Sequence, residues 1–92
     1  MMTEYQQRIF VLNQNLKIFQ KSVESCDIPR MLDNNVSFVD TLRNSNSMFE
    51  SLSPTSRLVE ETAFDISKEL TKQYFNTRAK INDICSCKSA IK

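Results

Sequence analysis

The chain has 92 residues, a formal net charge of +1 from 12 basic and 11 acidic residues, two Pro, and no Gly, His or Trp. That length bounds it to one domain with a modest core. The balanced charge argues against a dedicated nucleic-acid binder, and the lack of Gly argues against a β-rich fold, whose tight turns need positive φ.

The expectation is therefore an all-α protein: two to three long helices in an antiparallel bundle. The first helix is predicted to start at Thr3, where Thr3 and Gln6 have the spacing of a capping box. Tyr5, Ile9, Leu12, Leu16, Phe19 and Val23 recur at alternating steps of four and three, a seam along one helical face. Phe10, Val11 and Ile18 widen that stripe beyond what a seam needs. The helix is expected to end near Glu24 or Ser25.

Cys26-Asp27-Ile28-Pro29 reads as a break, with Asp27 capping a second helix and Pro29 tolerated in its first turn. Ile28, Met31, Phe38, Leu42, Phe49 and Leu52 form its apolar register, with Asn35 and Ser45 filling the gaps. The polar stretch Asn44 to Ser47 has low helix propensity, so a bend or a restart is expected there.

Ser53-Pro54 is the clearest helix start, with Ser53 as N-cap and Pro54 at the first helical position. A third helix is predicted from Pro54 to about Ile84, making a helix-turn-helix at Ser53-Pro54. Its apolar face is Val59, Ala63, Ile66, Leu70, Tyr74, Ile81 and Ile84, flanked by Leu58 and Phe64. Glu60, Glu61 and Asp65 open it, while Lys68, Lys72, Arg78 and Lys80 follow, a polarity that suits the helix macrodipole. Asp65–Lys68 and Glu69–Lys72 have ion-pair spacing. Residues 1–84 are expected to form the single interaction domain and 85–92 a frayed tail.

Residue chemistry narrows the function further. Without His there is no base titrating near neutrality, and a nucleophile elbow or a phosphate loop would need Gly. No catalytic residue and no cofactor are expected. Cys26, Cys85 and Cys87 fall short of the four ligands of a structural zinc site, so no metal is expected and the thiols read as surface or half-buried. An odd cysteine count and a polar start from Met1 to Arg8 favour a reducing compartment over a secreted disulfide scaffold. No apolar run approaches the ~20 residues of a membrane span. Lys68, Lys72 and Lys80 share a stripe, but the acidic opening of that helix faces phosphate poorly, so DNA contact is expected to be indirect. Apolar stripes this wide on so small a core predict a partner surface, or self-association in isolation.

From Phe38 to Ile81 the chain resembles a known pattern. Asn46, Met48, Phe49 and Leu52, then Pro54, then Val59-Glu60, Phe64, Ile66, Leu70 and Lys72 are similar to the turn region in the kleisin subunit of the SMC five/six complex, the non-SMC element four or EID-like family. The resemblance implies an N-terminal helical kleisin domain whose helix after the turn grips the coiled-coil neck of an SMC ATPase. It further implies a MAGE-type winged-helix partner and a nuclear role in chromosome maintenance and DNA repair, with a cytoplasmic location as the alternative. The partner-binding residues would be Val59, Ala63, Phe64, Ile66 and Leu70. The other reading is a small helical subunit of a different coiled-coil assembly, such as a kinetochore or tethering complex.

Overall fold

The computed structural model describes the backbone of residues 1–90 and the side chains of residues 1–86. Four helices follow one another: α1 (Glu4–Glu24), α2 (Ile28–Ser51), α3 (Pro54–Val59) and α4 (Glu61–Ala90). They form an all-α bundle, elongated to 56 × 21 × 18 Å.

The local signals act as their chemistry requires. Thr3 Oγ1 accepts the Gln6 N–H at 3.1 Å, and the Gln6 side-chain oxygen accepts the Thr3 N–H at 3.4 Å, closing the capping box of α1. At the other end the Cys26 N–H donates to the Val23 carbonyl at 3.0 Å and the Asp27 N–H to the Ser22 carbonyl at 3.1 Å. This is a Schellman termination, and it puts Cys26 in the left-handed region at φ 51°, a place usually taken by glycine. Asp27 then accepts the Arg30 N–H and opens α2, so the chain reverses within three residues.

α2 runs unbroken through Asn44 to Ser47, where the sequence predicts a bend. Ser45 is fully buried and donates its hydroxyl proton to the Leu42 carbonyl at 2.9 Å. Tertiary packing on that face outweighs the propensity deficit, which is a few tenths of a kcal/mol per residue at most. At the end of α2, Arg57 reaches back to donate to the Phe49 and Glu50 carbonyls, covering acceptors the helix leaves open.

The single helix expected from Pro54 to Ile84 is divided. Glu60, at φ −94° and ψ 9°, separates α3 from α4, although neither Pro nor Gly is present there. Its side chain turns into the end of the bundle and accepts from Thr3 Oγ1 and from Gln6 Nε2 at 2.8 Å. The anchoring of that carboxylate to α1 is the local cause of the break. α4 continues as helix to Ala90; the end of the expected tail, residues 91 and 92, lies outside the described residues. The expected ion pairs Asp65–Lys68 and Glu69–Lys72 do not form. Lys68 Nζ instead lies 4.7 Å above the Phe64 ring, and exposed ion pairs join Arg8 to Glu4 and Arg30 to Asp27.

α1 is the central element. Its seam residues Tyr5, Ile9, Leu12, Leu16, Phe19 and Val23 are all buried, against Met31 and Phe38 of α2 and Ala63, Leu70 and Tyr74 of α4. Because α2 runs antiparallel to α1, α4 returns parallel to α1. Three bonds mark this alignment: Gln6 to Glu60 at one end, Gln20 to Thr77 further along, and Cys26 to Cys85 at the other. α2 and α4 meet through rings, with Phe38 stacked on Tyr74 at 4.3 Å and Phe49 stacked on Phe64 at 4.1 Å.

Cys26 and Cys85 form a disulfide across a sequence separation of 59, with Cα atoms 5.6 Å apart. This corrects the assignment of separate thiols. The reversal after α1 and the length of α4 bring two residues together that no sequence spacing relates. Cys87 has no described side chain.

A candidate docking groove between the first and last helices

The two parallel helices α1 and α4 do not close over each other at their N-terminal ends. Ile9 and Ala63 form the floor between them, and Ala63 carries only a methyl group. Above this floor lies a groove of about 450 Å³ whose walls include Met2, Phe10 and Asn13 on one side and Val59, Thr62 and Ile66 on the other. The walls hold exposed apolar side chains: Phe10 is 51% exposed, Val59 69% and Ile66 46%.

The five residues assigned to partner binding from sequence do not share one face. Val59 and Ile66 line the groove. Ala63 and Leu70, at 9% and 6% exposure, lie in the core of the bundle rather than on its surface. Phe64 is half-buried against Phe49 on the α2 side. The reason is angular. Within α4, Ala63 and Leu70 are seven residues apart and fall on one line, and Ile66 lies roughly 40–60° around the helix from them; Val59 ends α3, before the division at Glu60. The bundle closes over the Ala63/Leu70 line and leaves Val59 and Ile66 open.

Phe10, singled out by sequence as surplus to the seam, does stand in the groove wall. Met2 and Thr62 carried no sequence signal.

The polar rim is asymmetric. Thr62, Asp65 and Glu69, at steps of three and four, run along the outer lip of α4. Asp65 and Glu69 are exposed and make no ion pair within the described residues. On the α1 lip, Phe10 is followed seven residues later by Lys17, also exposed.

Beside this groove, at the end of the bundle, Glu60 is buried at 4% exposure with its carboxylate held by Thr3 and Gln6. It also stands at the N-terminus of α4, where its carbonyl accepts the Phe64 N–H at 2.9 Å and the helix dipole favours its negative charge. Tyr5 is buried close by, and its hydroxyl has no hydrogen-bond partner. Ser67 is adjacent, but it donates its own proton to the Phe64 carbonyl at 2.7 Å. Burial pushes the Tyr5 phenol above its ordinary pKa of 10.0; the Ser67 contact offsets this in part, and the Glu60 charge adds to it.

Lys68 and Arg78, two members of the basic set on α4, lie over the Phe64 and Tyr74 rings. Among the described residues no helix is long and apolar enough to cross a membrane. No protein-family model matches the chain, and neither a curated protein nor a solved structure matches it.

Proposed function

We propose that this chain is a non-catalytic interaction module that receives one amphipathic helix of a partner protein in the groove between α1 and α4. The observation that carries the reading is the exposure of Phe10, Val59 and Ile66 around the Ile9–Ala63 floor. An apolar groove between parallel helices suits anchors at i, i+3 or i+4, and i+7 of an incoming helix. The unpaired Asp65 and Glu69 on one lip favour a partner helix with Lys or Arg along the matching edge.

The partner to try first is the coiled-coil neck of an SMC ATPase, because of the kleisin resemblance between Phe38 and Ile81. In this form of the reading, Val59 and Ile66 contact the neck while Ala63 and Leu70 support them from inside. A nuclear chromosome-maintenance assembly is then the setting, with another coiled-coil complex as the alternative. The Cys26–Cys85 bond sets a condition on that setting, since persistent disulfides belong to oxidising compartments.

Titration of isotopically labelled protein with SMC neck segments, and separately with basic-edged amphipathic helices, tests both levels. Resonance shifts confined to Phe10, Val59, Thr62 and Ile66, lost in Val59→Glu and Ile66→Glu, support the groove. Binding by the basic-edged helices without binding by any neck removes the SMC assignment and keeps the groove. Shifts that map elsewhere, or that survive both substitutions, remove the groove.

A further inference from the structure

We infer that Cys26 and Cys85 are a reversible thiol-oxidation site, a clasp that a small-molecule disulfide of the glutathione class closes and its thiol opens. The site lies at the opposite end of the bundle from the groove, and the inference does not rest on the function proposed above.

Three observations carry it. First, Cys26 occupies the left-handed position of a helix termination, where glycine is the favoured residue. A side chain there costs backbone energy, and this one reaches Cys85. Second, Cys26 and Cys85 are both only partly buried, so the bond lies near the surface of the bundle rather than in its core. Third, little else holds the described part of α4 beyond the fully packed Tyr74. Ile81 and Ile84 are half-buried, and the Gln20–Thr77 hydrogen bond is long at 3.4 Å. The disulfide adds a covalent restraint to a stretch of α4 whose described apolar side chains, Ile81 and Ile84, pack only partly buried against the core.

The exchange balances as follows. A thiolate of the pair attacks glutathione disulfide, forming a mixed disulfide and expelling one glutathione thiolate. The second cysteine thiolate attacks the protein sulfur of that mixed disulfide and expels the other. The protein loses two electrons and two protons, and one glutathione disulfide becomes two glutathione thiols. Opening is the reverse sequence.

With the clasp open, α4 past Tyr74 separates from α1 and the α1–α2 turn. The test uses the full chain equilibrated in glutathione buffers from fully oxidised to fully reduced, then quenched by alkylation and weighed. Limited trypsin cleavage after Arg78 and Lys80 is followed in parallel. The expected result is a single two-electron transition, with cleavage at those sites at least tenfold faster in the reduced protein. Cys26→Ser and Cys85→Ser are cleaved at the fast rate in every buffer, whereas Cys87→Ser keeps the wild-type transition. Equal cleavage rates in the two redox states would overturn the clasp. So would peptide mapping that places Cys87 in the bond, or a bond that excess reduced glutathione does not open.

Discussion

Replacing Cys26 with glycine separates two effects that the wild-type chain combines. In the oxidised protein Cys26→Gly removes a cross-link spanning 59 residues of sequence. The chain-entropy relation for a loop of that size gives ~4 kcal/mol of stability lost. The same substitution relieves a non-glycine side chain at φ 51°, worth about 1–2 kcal/mol. Glycine's greater freedom in the unfolded chain takes back roughly 0.5–1 kcal/mol of that gain. The net loss in oxidising buffer is therefore about 2.5–4 kcal/mol, whereas in reducing buffer the variant equals the reduced wild type or exceeds it by up to ~1.5 kcal/mol. Cys26→Ser loses the bond and keeps the backbone cost, so it falls below the glycine variant in both buffers. Urea unfolding followed by circular dichroism, with and without a phosphine reductant, reads all of these differences. Identical midpoints for the glycine and serine variants would refute the backbone part. A wild-type midpoint unmoved by reductant would refute the cross-link part.

Leu70→Ala removes a core side chain and is expected to cost about 2–5 kcal/mol, while Ile66→Glu and Val59→Glu leave the thermal midpoint within a few degrees; equal losses in both classes would place Ile66 and Val59 in the core. Glu60→Ala strips the acceptor from Thr3 and Gln6 and is expected to cost about 1–3 kcal/mol, with faster amide exchange in the first turn of α1 as the specific sign. Tyr5 is neutral when folded and its pKa is raised above 10.0, so its contribution is full below that pH and falls as pH rises through it toward the folded-state value. Tyr5→Phe should remove this alkaline loss, and because the buried hydroxyl has no partner the variant should be no less stable than wild type at neutral pH. Alkaline unfolding profiles of the two proteins that superimpose would count against the Tyr5 assignment.

What the sequence made legible was local. The Thr3–Gln6 box, the six-residue seam of α1, the Asp27 cap and the Ser53-Pro54 start are all written in neighbouring residues, and each forms as expected. The division at Glu60 was not legible, because its cause is a carboxylate meeting Thr3 across 57 residues of sequence. The partner face was legible only in part. Apolar spacing identified Val59, Ala63, Ile66 and Leu70 as one stripe, but it does not say which edge of a broad stripe the bundle will cover. The Cys26–Cys85 pairing was not legible either. Cys26 lies 23 residues after Thr3 and Cys85 lies 25 residues after Glu60, but that match carries meaning only once α1 and α4 start level, and their alignment rests on the Thr3–Glu60 contact.

The Thr3–Glu60 contact gives the two ends of this rod different kinds of vulnerability. At one end the helices are joined by hydrogen bonds to a single carboxylate, which heat and denaturant open in fast, local excursions. At the other they are joined covalently, and only electrons release them. The groove lies at the hydrogen-bonded end, beside the Glu60 carboxylate. A partner helix in the groove would therefore meet the end that non-covalent contacts hold, on a frame whose opposite end is tied by a covalent bond.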